Sequence, residues 1–190
     1  MPVVGVAYKG LEFNVEGSVG LSNFKDPINL ELHLHYQTGG LRFGLVDYGT
    51  YNHDEGTRYF LYDAHRTAHV FEADVSYDFG FLALSWATIF AGKDGVNRSG
   101  KRAYSSYAEI SAPFKFITCD WEGAVGFVPY ATDYYAKADN GFAVTNVSLK
   151  VTKALKLSKS FSLPLFANVV ANPSTQKFYF VFGLTIDPFQ

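Results

Sequence analysis

Residues Ile28–Gln37 read INLELHLHYQ. The even positions, Ile28, Leu30, Leu32, Leu34 and Tyr36, are apolar, while the odd positions, Asn29, Glu31, His33, His35 and Gln37, are polar. Successive side chains of a strand point to opposite faces, so this period of two sets one wholly apolar face against one wholly polar face. Helical spacing would scatter both sets. Phe71–Phe79 repeats the pattern, with Phe71, Ala73, Val75, Tyr77 and Phe79 against Glu72, Asp74, Ser76 and Asp78. Weaker alternation marks Leu82–Phe90, Tyr104–Phe114, Ile117–Phe127, Thr145–Val151, Phe161–Val169 and Phe178–Ile186. Lys150–Leu157 has helical propensity on its own, but its neighbours alternate, so it reads as a strand end.

Turn chemistry joins these strands into antiparallel hairpins. A two-residue turn at Gly39-Gly40 makes Thr38 face Leu41 and pairs Tyr36 with Phe43, Leu34 with Leu45 and Gln37 with Arg42. A turn at Gly80-Phe81 pairs Phe79 with Leu82, Val75 with Trp86, Asp78 with Ala83 and Ser76 with Ser85. Registers taken from the turns alone keep like faces together in both hairpins. Short connections are expected at Lys9-Gly10, Thr38–Gly40, Gly80-Phe81, around Lys115 and at Ser158–Ser160. Long polar ones fall at Tyr51–Ala68, Gly92–Arg102 and Val128–Phe142, and the connection near Asn172–Thr175 breaks the rule by being short. Short turns at one end and long loops at the other are the habit of an outer-membrane barrel.

Composition narrows the class. A chain of 190 residues suits one domain, read here as 1–190. Lys plus Arg number 16 against 18 Asp plus Glu, so the basic excess of a nucleic-acid binder is missing and no nucleic-acid partner is expected. The single cysteine, Cys119, excludes an intrachain disulfide and a four-cysteine zinc site. No stretch offers the ~20 mostly apolar residues of a spanning helix. The start, MPVVGVAYKG, has neither the basic nor the long apolar region of a secretion signal, so either the protein is cytosolic or, as a barrel reading expects, a signal has been removed.

Alternation alone does not say which face is inside. A soluble barrel or sandwich turns its apolar face inward, and a membrane barrel turns it outward. The polar positions lack the lysine-rich character of a solvated surface, and the apolar ones are aromatic, with Tyr36, Tyr77, Phe79, Trp86, Trp121 and Phe178 to Phe182. The strands number about eleven, more than a lipocalin-like barrel needs. The sequence therefore reads as an all-β, antiparallel, up-and-down transmembrane barrel.

At this point the chain resembles the TorF-type porins, outer-membrane barrels of Gram-negative bacteria, Bacteroidetes among them. The resemblance is carried by DYGTY (Asp47–Tyr51), HVFEADVSYDFG (His69–Gly80), LSWATIFAGKD (Leu84–Asp94), YSSYAEISAPF (Tyr104–Phe114) and SFSLPLFANVVANPSTQKFYFVFGLTI (Ser160–Ile186). It implies a barrel of about twelve strands with a pore, in the outer membrane, and supplies no catalytic residues. The chain departs from the usual barrel ending, because Phe189 is followed by Gln190.

The chemical content lies in the inward polar set. The candidates to line a lumen are Glu31, His33, His35, Arg42, Glu72, Asp74, Asp78, Glu109, Asp120, Glu122 and Lys150. Acids outnumber bases, which suits a passive channel for small polar solutes with a mild cation preference. Glu31, His33 and His35 share a strand face and have metal-ligand chemistry, with Glu72 or Asp74 able to complete a shell. Lumen residues satisfied by neighbours and water are the plainer account, and no metal or cofactor is expected. His65 and His69 pair only on a helix. Ser76, Ser85 and Ser106 lack a nucleophile elbow, so a barrel phospholipase is the enzymatic alternative and no enzyme is expected. Gly92–Lys101 lacks P-loop spacing and reads as a loop. Rival readings are a closed structural barrel working through its long loops and a soluble barrel binding a small apolar ligand.

The N-terminus raises a question of parity. Val3–Tyr8 and Leu11–Leu21 read as two strands, giving about eleven in all. Bacterial single-chain barrels almost always have an even number. The expectation is one further strand ahead of residue 1, leaving a seam between Val3–Tyr8 and Phe178–Ile186 and poor insertion of the eleven alone. The alternative is a coil at Met1–Tyr8 ahead of a closed ten-stranded barrel.

Overall fold

The computed structural model describes residues 2–18, 28–51, 58–63, 66–135, 141–158 and 162–185. It contains eleven strands: β1 (Val3–Tyr8), β2 (Leu11–Ser18), β3 (Ile28–Thr38), β4 (Leu41–Tyr51), β5 (Val70–Asp78), β6 (Ala83–Gly92), β7 (Ser106–Phe116), β8 (Cys119–Val128), β9 (Ala143–Lys156), β10 (Ser162–Asn172) and β11 (Lys177–Leu184). Each pairs antiparallel with the next in a single up-and-down sheet, and there is no helix among the described residues.

The hairpin registers follow the turn chemistry. Thr38 faces Leu41, Leu34 faces Leu45 and Gln37 faces Arg42. Asp78 faces Ala83, Val75 faces Trp86 and Ser76 faces Ser85. Lys9 and Gly10 form the first turn with φ of 48° and 84°. A Cβ on Gly10 would stand 2.4 Å from the Gln37 carbonyl oxygen, so glycine is needed there for both reasons. Lys150–Lys156 is strand, as its neighbours suggest. Residues 19–21, 159–161 and 186, at the ends of three expected elements, lie outside the described residues.

One turn falls elsewhere than expected. The β7–β8 connection is Ile117-Thr118 rather than Lys115, which faces Asp120 inside the ladder. Both turn residues have positive φ, 47° and 57°, as a type I′ turn requires. Neither is Gly, Asn or Asp, so the turn carried no signal, and a left-handed conformation costs roughly 1–2 kcal/mol at each. The β10–β11 connection is the four-residue Pro173–Gln176, where the Asn172 side chain accepts a hydrogen bond from the Thr175 amide at 3.0 Å.

Register carries each face across the sheet. One row runs Leu41, Tyr77, Leu84, Ile110, Val125, Val147, Ala171 and Phe178 from β4 to β11. A row on the other face runs Asn14, His33, Val46 and Glu72 from β2 to β5. Burial then distinguishes the faces. On the apolar side Leu34 is 44% exposed, Phe43 47% and Phe182 77%. On the polar side His35 is 5% exposed and Glu72 9%. Among the described residues no second sheet and no helix covers either face, so a single sheet that shields its polar side must curve toward it. Leu30, Leu32, Leu34, Phe71, Val75, Phe180 and Phe182 share the convex apolar face and form no common core.

The sheet is not closed. The edges are β1 and β11, and no Cα of one lies within 8 Å of the other. Val3–Tyr8 is a strand paired to β2, and β2 pairs with β3 on its other side. These pairings overturn the ten-stranded closed alternative with a coil at the N-terminus.

Replacing Ile117 and Thr118 together by Asn and Gly should relieve the left-handed strain. Equilibrium unfolding should show a gain of about 1–2 kcal/mol.

Candidate functional site

All eleven residues picked out as lumen candidates fall on the polar, concave face. Glu31 and Glu16 face each other, as do His33 and Asn14 and His35 and Glu12. Arg42 faces Ser76, Asp78 faces Ala83 and Glu109 faces Ser85. Glu122 faces Lys150, and Asp120 faces Thr152. Asp120 stands beside the β7–β8 turn with most of its side chain exposed, 3.6 Å from Lys115.

These residues are tied into small networks where a glycine on the intervening strand gives room. His35 Nε2 donates to the Asp74 carboxylate at 3.0 Å, reaching from β3 to β5 over Gly44. A Cβ on Gly44 would lie 2.2 Å from the His35 ring. Likewise Tyr107 on β7 donates to Glu109, and Asn146 on β9 donates to the same carboxylate at 2.9 Å. Gly126 lies between, where a Cβ would collide with the Tyr107 hydroxyl. At one end of the face Arg42 donates to Glu12 at 3.4 Å, and Asn14 donates to Glu12 at 2.6 Å.

Glu72 is the most enclosed acid of the set. It accepts from Tyr48 at 3.0 Å and from Tyr135 at 2.9 Å. Tyr48 comes from β4, beside Glu31. Tyr135 comes from the segment after β8, which folds over the polar face and packs its ring 5.9 Å from Tyr107. Desolvation, then the Glu72 charge, pushes the Tyr135 phenol well above its ordinary range, so it stays a neutral donor. The same segment is anchored at the rim, where Thr132 bonds Ser105 and Asp133 accepts from the Val96 amide at 2.6 Å. Ile89, Val128, Ser105 and Ser106 are fully buried in this region.

The metal-capable side chains of β3 do not gather as a set. His35 turns to Asp74 and leaves Glu31 and His33, whose Nε2 and Oε2 lie 3.2 Å apart. The third member comes from β2: Glu16, Glu31 and His33 place ligand atoms within 4.8 Å of one another. Glu16, Tyr48, Tyr135 and Asn146 were missed by the sequence reading. Glu16 and Tyr48 sit in strands whose alternation is broken by Gly17 and Asp47, and Tyr135 sits in a loop.

The apolar face carries two charged side chains in the ladder, Asp47 and Lys153, paired with Leu32 and Leu165. Asp47 lies at the loop end and is hydrogen-bonded there. His69 is buried, with Nδ1 2.6 Å from Asp47 Oδ1 and Nε2 2.5 Å from the Tyr59 carbonyl oxygen. Tyr62 adds its hydroxyl to Asp47 at 3.3 Å and stacks near His69, and burial with the Asp47 charge pushes this phenol up to about 12. His65, which had been set beside His69, lies outside the described residues.

The serines are dispersed. Ser76 and Ser85 face one another on the polar side, and Ser106 lies on the opposite face bonded to Thr88 and Tyr130. The Gly92–Lys101 loop is internally tied, with Asp94 accepting from the amides of Gly95, Tyr104 and Ser105. A shallow recess of about 370 Å³ opens on the apolar face beside Ala108, between Val75, Trp86, Ile110 and Phe127. Comparison with protein-family models, curated proteins and solved structures returns no match.

Asp47→Asn should loosen the loop that His69 staples to the sheet. Losing a charge-assisted bond costs about 1.5–3 kcal/mol. Hydrogen exchange at the Leu61 and Thr67 amides, both bonded within that loop, should therefore quicken by an order of magnitude or more.

Proposed function

We propose that the chain forms the wall of an outer-membrane β-barrel that acts as a passive channel for small polar solutes, with a mild preference for cations. The observation that carries this reading is the inverted burial: the polar face is shielded and the apolar face is open. A soluble barrel arranges its faces the other way, and hydrocarbon is the medium in which an exposed apolar face is stable. Aromatic pairs at both ends of the strands add support. Tyr36–Phe43, Tyr77–Phe79 and Phe114–Trp121 lie beside short turns, and Phe71–Phe90 and Phe127–Phe142 beside long loops. That is the placement of interfacial girdles. The resemblance to TorF-type porins points the same way.

The cation preference follows from the charges on the polar face. Glu12, Glu16, Glu31, Glu72, Asp74, Asp78, Glu109, Asp120 and Glu122 stand against Arg42, Lys115, Lys150, Lys156 and Lys177. An acidic lining concentrates cations and repels anions. One observation favours the second reading, a closed barrel working through its loops. The segment bearing Tyr135 packs over the interior at Glu72 and narrows any path there.

Planar-bilayer recording separates the two. The channel reading expects ohmic conductance with a cation-selective reversal potential. Combining Glu72→Gln, Asp74→Asn and Glu122→Gln should shift that potential toward zero. Silence from well-folded protein would favour the closed barrel. The facing of the sheet has its own test. Leu34→Arg should cost roughly 2–4 kcal/mol of unfolding free energy in lipid, the cost of a charge facing hydrocarbon near the midplane. His33→Arg, one residue along and on the polar face, should cost much less. Equal costs would count against the assignment.

A further inference from the structure

We propose that Glu16, Glu31 and His33 form a divalent metal site of the zinc class on the polar face. The site is built by register. Glu16 on β2 stands directly opposite Glu31 on β3, and His33 lies two residues along the same face. The three ligand atoms fall within 4.8 Å of one another. Zinc binds imidazole nitrogen and carboxylate oxygen at about 2.0–2.2 Å in a tetrahedron, which sets adjacent ligands roughly 3.3–3.5 Å apart. His33 Nε2 and Glu31 Oε2, at 3.2 Å, already span such an edge. Glu16 needs only a small side-chain adjustment to complete the face of the tetrahedron, leaving the fourth position for water.

Two further features fit a cation at this point. Like charges directly opposite in a ladder destabilise the pair, and Glu16 and Glu31 are such a pair. A bound cation removes that repulsion. The His33 ring is also held in place. It stacks on His35 at 5.9 Å, with the His35 ring fixed by Asp74, and meets the Tyr48 ring edge-on at 6.2 Å. These ring contacts limit how far the His33 imidazole can turn. The mixed nitrogen and oxygen donor set suits zinc better than calcium or magnesium, which take oxygen alone. The site does not depend on whether the interior conducts.

The test is calorimetric titration of the whole chain, folded in detergent micelles, with zinc chloride. The wild-type chain and Glu122→Gln, a control on the same face far along the sheet, should bind one equivalent. Glu16→Gln, Glu31→Gln and His33→Gln should each weaken binding at least tenfold, since even supporting residues are worth 10–100-fold in affinity. A readout that needs no variant is paramagnetic broadening by cobalt(II), which should single out the His33 ring resonances over those of His69. Absence of a saturable one-to-one heat in the wild type would overturn the site. So would unchanged binding in folded Glu31→Gln and His33→Gln, or broadening spread evenly over the histidines.

Discussion

The pleat of a strand sends successive side chains to opposite faces, and the backbone ladder carries that division unchanged from each strand to the next. A slip of one residue anywhere would exchange the faces beyond it. The row from Leu41 to Phe178 shows that no net exchange occurs between β4 and β11. The two irregularities, at Phe71/Glu72 and Gly126/Phe127, are confined to the loop ends of their strands. Everything else follows from this division. The convex side becomes an apolar surface broken in the ladder by Asp47 and Lys153, and the concave side collects carboxylates, imidazoles and phenols close enough to bond across alternate strands.

What was legible in the sequence is what depends on neighbours along the chain. Strong alternation located Ile28–Gln37 and Phe71–Phe79, and Gly39-Gly40 and Gly80-Phe81 set their registers. The turn at Ile117-Thr118 was not legible, because the ladder on both sides holds those residues in a conformation that their side chains disfavour. Asp47 was also opaque: a carboxylate on an apolar face makes sense only once His69, from beyond a long loop, is seen to hydrogen-bond it. The same limit applied to Glu16, whose place beside Glu31 is a fact of β2–β3 register. It applied again to Tyr135, whose bond to Glu72 joins residues far apart in the chain.

The open edges set a condition on the membrane reading. With an odd number of antiparallel strands, β1 and β11 run in the same direction, so joining them directly needs a parallel pair. An all-antiparallel closure takes an odd number of strands beyond these eleven. Backbone groups left unpaired in hydrocarbon cost several kcal/mol each, so a lipid-embedded form must pair or cover both edges. Curvature toward the polar face brings that requirement and the crowding at Glu72 into the same enclosure.

The central claim is that the exposed apolar face meets lipid. The chain has two tryptophans, Trp86 and Trp121, and both lie on that face. Fluorescence of the protein reconstituted into vesicles of brominated phospholipid tests the claim directly. The account predicts strong quenching by the brominated chains and little by aqueous iodide. Strong iodide quenching with no response to the brominated lipid would contradict it.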